Sequence, residues 1–169
     1  MTIIIDDAGS GDLLFGVVIG VFRDNTNEFK YEIIDVKYFK DNYFNKKVYL
    51  KRCTKIVCRI LNEIKPKPDE EIHICRGYIF DEAFKELKKK FGDEHIKRVK
   101  VEGKAQELIE TAYLDELRNL GYEPIEEREK KMAKSFFHMM NWIKKNPEMI
   151  KYAKTGWPRL SRYRLFKEG

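Results

Sequence analysis

Three short apolar runs rich in β-branched residues open the chain and predict β-strands. They cover Thr2–Ile5, Leu13–Arg23 and Phe29–Phe39, and such runs between turn residues are typical of strands. The turn cluster Asp24–Asn27 separates the second run from the third, so these two strands form a hairpin. The short turn after the first run makes that strand a neighbour of the hairpin.

The spacing of apolar residues changes to a helical period after residue 47. Apolar side chains recur three and four positions apart from Val48 to Ile64 and predict an amphipathic helix, which Pro66 and Pro68 end. The same reading predicts the other elements, namely strands over Glu71–Cys75 and Ile96–Val101 and helices over 80–91, 105–120 and a methionine-rich stretch after 129.

The predicted order is β-β-β-α-β-α-β-α, followed by a helical extension. Right-handed helical crossovers make strands one, four and five parallel, so the predicted fold class is α/β with a mixed five-stranded sheet flanked by helices. Strand one is expected at the centre, between strands two and four. We expect one domain over 1–128 and a C-terminal extension over 129–169, packed on the same domain.

Composition narrows the classes of partner and compartment. The 169 residues carry a formal net charge of +6, which favours an acidic partner such as RNA or DNA; a lysine-rich surface without that role is the alternative. Three cysteines without a CxxC pair predict a reducing, cytoplasmic setting and no zinc site. No apolar run is long enough to cross a bilayer, so no membrane partner is expected.

The first strand ends in two adjacent acids, Asp6 and Asp7, within the stretch IIIDDAGSGD. Ligands of open α/β sheets gather at the carboxyl ends of parallel strands, and neighbouring carboxylates repel each other unless a cation lies between them. The stretch also has good turn chemistry without a metal. A divalent cation site and a solvated turn are therefore both open.

Three further acids are candidates for the same site. Glu107 and Glu110 are three positions apart on the predicted helix 105–120 and share a face, and Glu102 follows strand five. Oxygen ligands of this kind suit Mg²⁺ or Mn²⁺, and no organic cofactor is expected. A solvated helix face is the alternative for Glu107 and Glu110.

The element order resembles the ribonuclease H-like fold, and the first motif resembles type 2 ribonuclease H. Asp6–Gly11, followed by Gly16–Val18, is similar to the D-E-A-G-R-G…G-P-V-V signature of that family. The resemblance implies that Asp6 and Asp7 bind catalytic metal and that Gly9, Ser10 and Gly11 contact nucleic acid. Here Asp7 replaces a glutamate and Ser10 replaces an arginine.

Strand four carries a second, weaker resemblance. His73–Gly77 is similar to the Y-R-D-G stretch of PIWI domains, but Arg76 stands where catalytic members of the fold carry an acid. The resemblance implies contact of Arg76 with nucleic acid. The missing acid favours the alternative of a catalytically impaired nucleic-acid-binding module.

The basic and aromatic tail is the last candidate site. Trp157 is suited to stacking on an unpaired base, and Arg159, Arg162 and Arg164 are suited to phosphates. The tail is equally suited to docking on its own core or on a second subunit, as in a structural or assembly protein. A homo-oligomer through this region is one prediction that follows.

The first hypothesis is thus a divalent-metal-dependent nuclease or a related phosphoryl-transfer enzyme. Its predicted catalytic residues are Asp6, Asp7, Glu107 and Glu110, and its predicted metal ligands are Asp6, Glu102, Glu107 and Glu110. The stretch Asp7–Gly11 also resembles the phosphate-binding hairpin of sugar kinases and actin. Those proteins use two such domains, and one is predicted here.

Overall fold

A five-stranded mixed sheet forms the centre of the protein, as a computed structural model that describes residues 1–167 shows. The strand order is β3-β2-β1-β4-β5. The strands are β1 (Thr2–Ala8), β2 (Val17–Arg23), β3 (Glu28–Ile34), β4 (Glu71–Cys75) and β5 (Ile96–Val99). The prediction of an α/β fold with a mixed sheet and a central first strand is confirmed.

The directions of the strands bring two strand ends together. β1 pairs antiparallel with β2, and β2 pairs antiparallel with β3. β1 pairs in parallel with β4, with Thr2 opposite Glu71 and Ile5 opposite Ile74, and β4 pairs in parallel with β5. Because β1 and β4 run the same way, Asp6 and Asp7 lie at the same edge of the sheet as Cys75.

Five helices flank the sheet in the described part of the chain. They are α1 (Asp41–Asn45), α2 (Val48–Ile64), α3 (Asp81–Phe91), α4 (Lys104–Asn119) and α5 (Met132–Lys145), with short 3-10 turns between and after them. The helix α2 has the predicted bounds, because its apolar stripe is long and the backbone turns left-handed at Lys65, just before Pro66.

The alternation of side chains along β1 serves two separate cores. Ile3 and Ile5 pack with the apolar faces of α2 and α3, whereas Ala8 packs with side chains of α4 and α5. Successive residues of a strand point to opposite faces, so both faces of the sheet are covered. The acids Asp6 and Asp7 continue this alternation at the strand end.

The last part of the chain packs against the beginning. Met139, Met140 and Ile143 of α5 are buried in the same core as Leu13 and Leu14. Leu14 forms an isolated β-bridge with Ala153, and the Phe15 amide donates to the Tyr152 carbonyl at 2.6 Å. The predicted extension ends in Glu168 and Gly169, which lie outside the described residues.

Several predicted strand boundaries were wrong. The first strand continues to Ala8 rather than ending at Ile5, and the fifth ends at Val99 rather than Val101. The second strand begins at Val17 rather than Leu13, because Leu13–Phe15 pairs with residues 152–154 instead of with the sheet. The third strand ends at Ile34 rather than Phe39, where the Asp35 side chain accepts a hydrogen bond from the Lys37 amide and starts a 3-10 turn.

Within residues 1–167, no helix combines the length and apolar character needed to cross a membrane.

Candidate metal-binding cleft

A cleft of about 410 Å³ opens where β1 and β4 end. Its walls come from the acidic end of β1, the end of β4, the first turns of α4 and the segment before α5. The turn that follows β1, Gly9–Gly11, completes the wall and is called the glycine turn below. This edge is the usual ligand position in open α/β sheets. The predicted site residues that line it are Asp6, Asp7, Gly9, Ser10, Gly11, Arg76 and Glu110.

Of the two acids at the end of β1, Asp6 is the less exposed to solvent. Its exposed fraction is 8%, and it lines the cleft. Burial raises its pKa above the ordinary range, hydrogen bonds from the Cys75 thiol and the Asp7 backbone oppose that rise, and the charge of Glu110 adds to it. No basic side chain among residues 1–167 forms an ion pair with Asp6, so no cation in the described chain stabilises its ionised form.

Asp7 follows on the opposite face of the strand yet stays close to Asp6. Burial, and then the charge of Asp6, raise the pKa of Asp7 to about 6, while a hydrogen bond from Ser10 opposes the rise. A carboxylate oxygen of Asp6, a carboxylate oxygen of Asp7 and the Sγ atom of Cys75 all lie within 4.8 Å of one another. Both acids therefore converge at the strand end, although β1 continues through Ala8 without a turn between them.

Cys75 is the third member of this group, and the sequence patterns did not single it out. It is the last residue of β4, and its Sγ accepts a hydrogen bond from the Gly77 amide at 3.4 Å. Burial, and then the charge of Asp6, raise the pKa of its thiol to about 12. A cysteine thus stands beside Asp6, while Arg76, the next residue, lies exposed at the mouth of the cleft.

A buried arginine, also missed in the sequence, occupies the other side of the cleft. Arg128 forms ion pairs with Asp12 and with Glu110, the latter with an Nε–Oε1 distance of 2.7 Å. Its guanidinium lies 4.9 Å from the centre of the Tyr113 ring, and the Ser135 hydroxyl donates to Asp12 at 3.4 Å. Glu110 therefore reaches the cleft already paired with a cation.

The other predicted acids lie elsewhere. Glu107 is exposed and lines a separate groove beside Phe29 and Tyr31, so α4 directs Glu107 and Glu110 to different surfaces. Glu102 is exposed and pairs with Lys100 at 2.7 Å. Neither Glu107 nor Glu102 lines the cleft that contains Asp6.

The predicted tail residues surround two small cavities next to the glycine turn. Trp157 borders both: one of about 220 Å³ reaches Asp7 and Ser10, and the other, of about 260 Å³, reaches Gly11. Arg159 and Arg162 line the second cavity. Arg164 is exposed and lines neither cavity. Leu160 is 2% exposed, so the tail docks on the core of its own chain.

The glycine turn depends on Gly9 for a steric reason that can be tested. Gly9 has φ +97°, and an added Cβ would collide with the ring of Tyr113, which is fully buried and donates to the Leu14 carbonyl at 2.8 Å. We expect Gly9→Ala to lower the free energy of unfolding by at least about 2 kcal/mol, as measured by urea denaturation.

The matched control for this substitution is Gly121→Ala. Gly121 has φ +93° but no heavy atom within 4 Å of an added Cβ, so it isolates the backbone strain, about 1 kcal/mol. Equal losses of stability in the two variants would show that the Tyr113 contact does not constrain the turn.

The donor set of the cleft fits a divalent cation. The donors are the carboxylates of Asp6 and Asp7 and the thiol of Cys75, and their ligand atoms lie within 4.8 Å of one another. The Asp6 side chain is more than nine-tenths buried and has no ion-pair partner in the described chain.

Comparisons with protein families, curated proteins and solved structures found no match for this chain. The case for function therefore rests on the geometry of the cleft.

Proposed function

We propose that this protein is a divalent-metal-dependent nuclease, or a related phosphoryl-transfer enzyme, that acts on nucleic acid. The observation that carries the proposal is the Asp6 carboxylate, which is buried at the carboxyl edge of the sheet, opens into the cleft and has no ion-pair partner within residues 1–167. Such a charge is costly to bury unless a cation compensates it.

A ribonuclease H-like topology for residues 1–128 is part of this proposal. It is supported by an antiparallel hairpin followed by parallel strands, by the β3-β2-β1-β4-β5 order and by the acids on the central strand. The order of elements behind the resemblance is present, with the short α1 inserted before α2.

Asp6 and Asp7 are the residues that would hold the cation. A divalent cation held there would supply water activation and charge stabilisation for phosphodiester hydrolysis. Arg128 holds the Glu110 carboxylate in place beside the same cleft. Exposed Arg76 and Lys100 at the cleft mouth are placed to bind phosphate oxygens of the substrate.

The form of nucleic acid that we propose is one with unpaired bases. Trp157 and Tyr78, the latter 50% exposed, line the cavity that reaches Asp7. Arg159 and Arg162 border the neighbouring cavity with Tyr163. Proteins that bind single strands combine stacking aromatics with basic groups in this way, and the net charge of +6 supports the same partner.

The metal part of the proposal predicts opposite effects of Asp6→Asn with and without metal. In EDTA we expect the variant to unfold at a higher temperature than the wild type, because the repulsion between Asp6 and Asp7 is removed. Mn²⁺ at about 100 times its Kd should stabilise the wild type by about 2.7 kcal/mol and the variant not at all. Thermal unfolding with calorimetric Mn²⁺ titration measures both effects.

Asp93→Asn is the matched control, because Asp93 is exposed in the turn before β5, away from the cleft. It should behave as the wild type in both conditions and in Mn²⁺-dependent cleavage of labelled single-stranded RNA and DNA. Cleavage that Asp6→Asn leaves unchanged would refute the nuclease proposal.

A binding module without catalysis is the second candidate. The observation in its favour is that Glu110 is already paired with Arg128, while Cys75 ends β4 and Arg76 follows it, where the ribonuclease H-like resemblance implies an acid. This function predicts binding of single strands that weakens steeply with salt and that EDTA does not change. A filter-binding series at rising salt, with and without EDTA, distinguishes the two candidates.

A further inference from the structure

Cys75 changes the kind of metal that the cleft suits. Its Sγ lies within 4.8 Å of ligand oxygens of both Asp6 and Asp7, at the end of β4. Hard cations such as Mg²⁺ prefer oxygen ligands, whereas Zn²⁺ and Co²⁺ also accept thiolate sulfur. A set of two carboxylates and one sulfur therefore favours the second group.

Other acids near this group are already paired with arginines and are not free to bind a cation. Arg128 pairs with Asp12 and Glu110, and Arg98 pairs with Asp81 beyond the end of β4 at 3.1 Å. Asp6 is the exception, because it is 8% exposed, opens into the cleft and has no ion-pair partner in the described residues. The absence of an ion-pair partner for this buried carboxylate is the observation, in addition to the nearby thiol, that points to a bound cation.

We propose that Asp6, Asp7 and Cys75 bind a single thiophilic divalent cation of the Zn²⁺ class. Three protein ligands with a side open to solvent are the arrangement of catalytic zinc sites, whereas structural sites are closed by four. The open cleft on the remaining side leaves room for water or a phosphate oxygen. This inference rests on the proposed function for its role in catalysis, but metal binding is testable by itself.

Co²⁺ is the probe for the sulfur ligand, because thiolate bound to Co²⁺ gives charge-transfer absorption in the near ultraviolet. We expect this absorption in the wild type at one equivalent of Co²⁺ and its loss in Cys75→Ser, with at least about tenfold weaker Zn²⁺ and Co²⁺ binding by calorimetry. Cys58→Ser is the control, since Cys58 lies on α2, outside the cleft.

A second variant tests whether the sulfur atom of Cys75, and not the usual order of metal affinities, accounts for a preference for Zn²⁺. Zn²⁺ and Co²⁺ bind most sites more tightly than Mn²⁺, so the diagnostic quantity is the change in the Zn²⁺/Mn²⁺ affinity ratio. Cys75→Asp should lower that ratio at least about tenfold and should still bind Mn²⁺. Circular dichroism of each variant verifies that it is folded.

The outcomes separate this inference from the proposed function. Metal binding with the cobalt–sulfur absorption but without cleavage of any nucleic acid would support the metal site and refute the nuclease. Mn²⁺-dependent cleavage with an unchanged affinity ratio in Cys75→Asp and no cobalt–sulfur absorption would support the nuclease and overturn the role of Cys75.

Discussion

Arg128→Met is expected to lower the free energy of unfolding by about 3–5 kcal/mol, because it leaves buried carboxylates without a cation. Arg128 is 4% exposed and Asp12 is fully buried. Glu110, the other partner, has a side chain only 18% exposed. Urea denaturation at pH 7 measures the loss, which is a large fraction of the total stability of an ordinary domain.

The control is Arg118→Met, which removes an arginine that also contacts two acids. Arg118 pairs with Asp115 and Glu123 at 3.3 Å each, but its side chain is 45% exposed, so the expected loss is below about 1 kcal/mol. Adding Asp12→Asn and Glu110→Gln to Arg128→Met should restore part of the stability. Equal losses for Arg128→Met and Arg118→Met would contradict the role assigned to the buried network.

Lys154→Met is expected to raise stability at pH 7 by up to roughly 5 kcal/mol, from the free-energy equivalent of its pKa shift. Burial lowers the pKa of Lys154 from 10.5 to about 7, a shift that Asp12 opposes and Arg128 increases. Its Nζ donates to the Leu14 carbonyl at 3.1 Å. That carbonyl also accepts from the Tyr113 hydroxyl, so methionine leaves no unpaired acceptor.

The pH dependence gives this prediction its sign. Between about pH 7 and 10.5 Lys154 binds a proton in the unfolded state but not in the folded state. Its contribution to wild-type stability therefore increases with pH across this window by up to about 1.4 kcal/mol per unit, and the advantage of Lys154→Met shrinks accordingly. Urea midpoints from pH 6.5 to 9.5 measure the difference.

Lys134→Met, at an exposed position of α5, controls for the loss of a lysine charge. It should keep the same difference from the wild type at every pH. A difference between Lys154→Met and the wild type that does not change with pH would show that Lys154 keeps its proton in the folded protein.

The fold was largely predictable because its signals are local. The bounds of β4 and α2 agree with the prediction, since short apolar runs, helical spacing and Pro66 mark them within a few residues. Leu13–Phe15 was assigned to the second strand for the same local reason. Its true partners are residues 152–154, and no pattern near residue 13 indicates them.

In the candidate site, only the residues that directly follow an apolar strand pattern could be predicted from the sequence. Asp6 and Asp7 follow an apolar run, whereas Arg128 lies in a mixed-charge stretch and meets Asp12 across 116 positions. Cys75 gave no signal in the sequence, because a lone cysteine usually packs as a small apolar residue. The spacing of cysteines along the chain predicts no zinc site. That spacing does not show that the parallel pairing of β1 and β4 brings the Cys75 thiol close to two acids.

The pairing of Leu13–Phe15 with residues 152–154 has a consequence for the nascent chain. The lysine that donates to the Leu14 carbonyl is synthesised 140 residues after its partner. At about 5–20 residues per second this interval lasts roughly 7–28 s. Throughout it Leu13 and Leu14 can pack on α4 but lack the apolar cover that α5 and residues 152–154 provide.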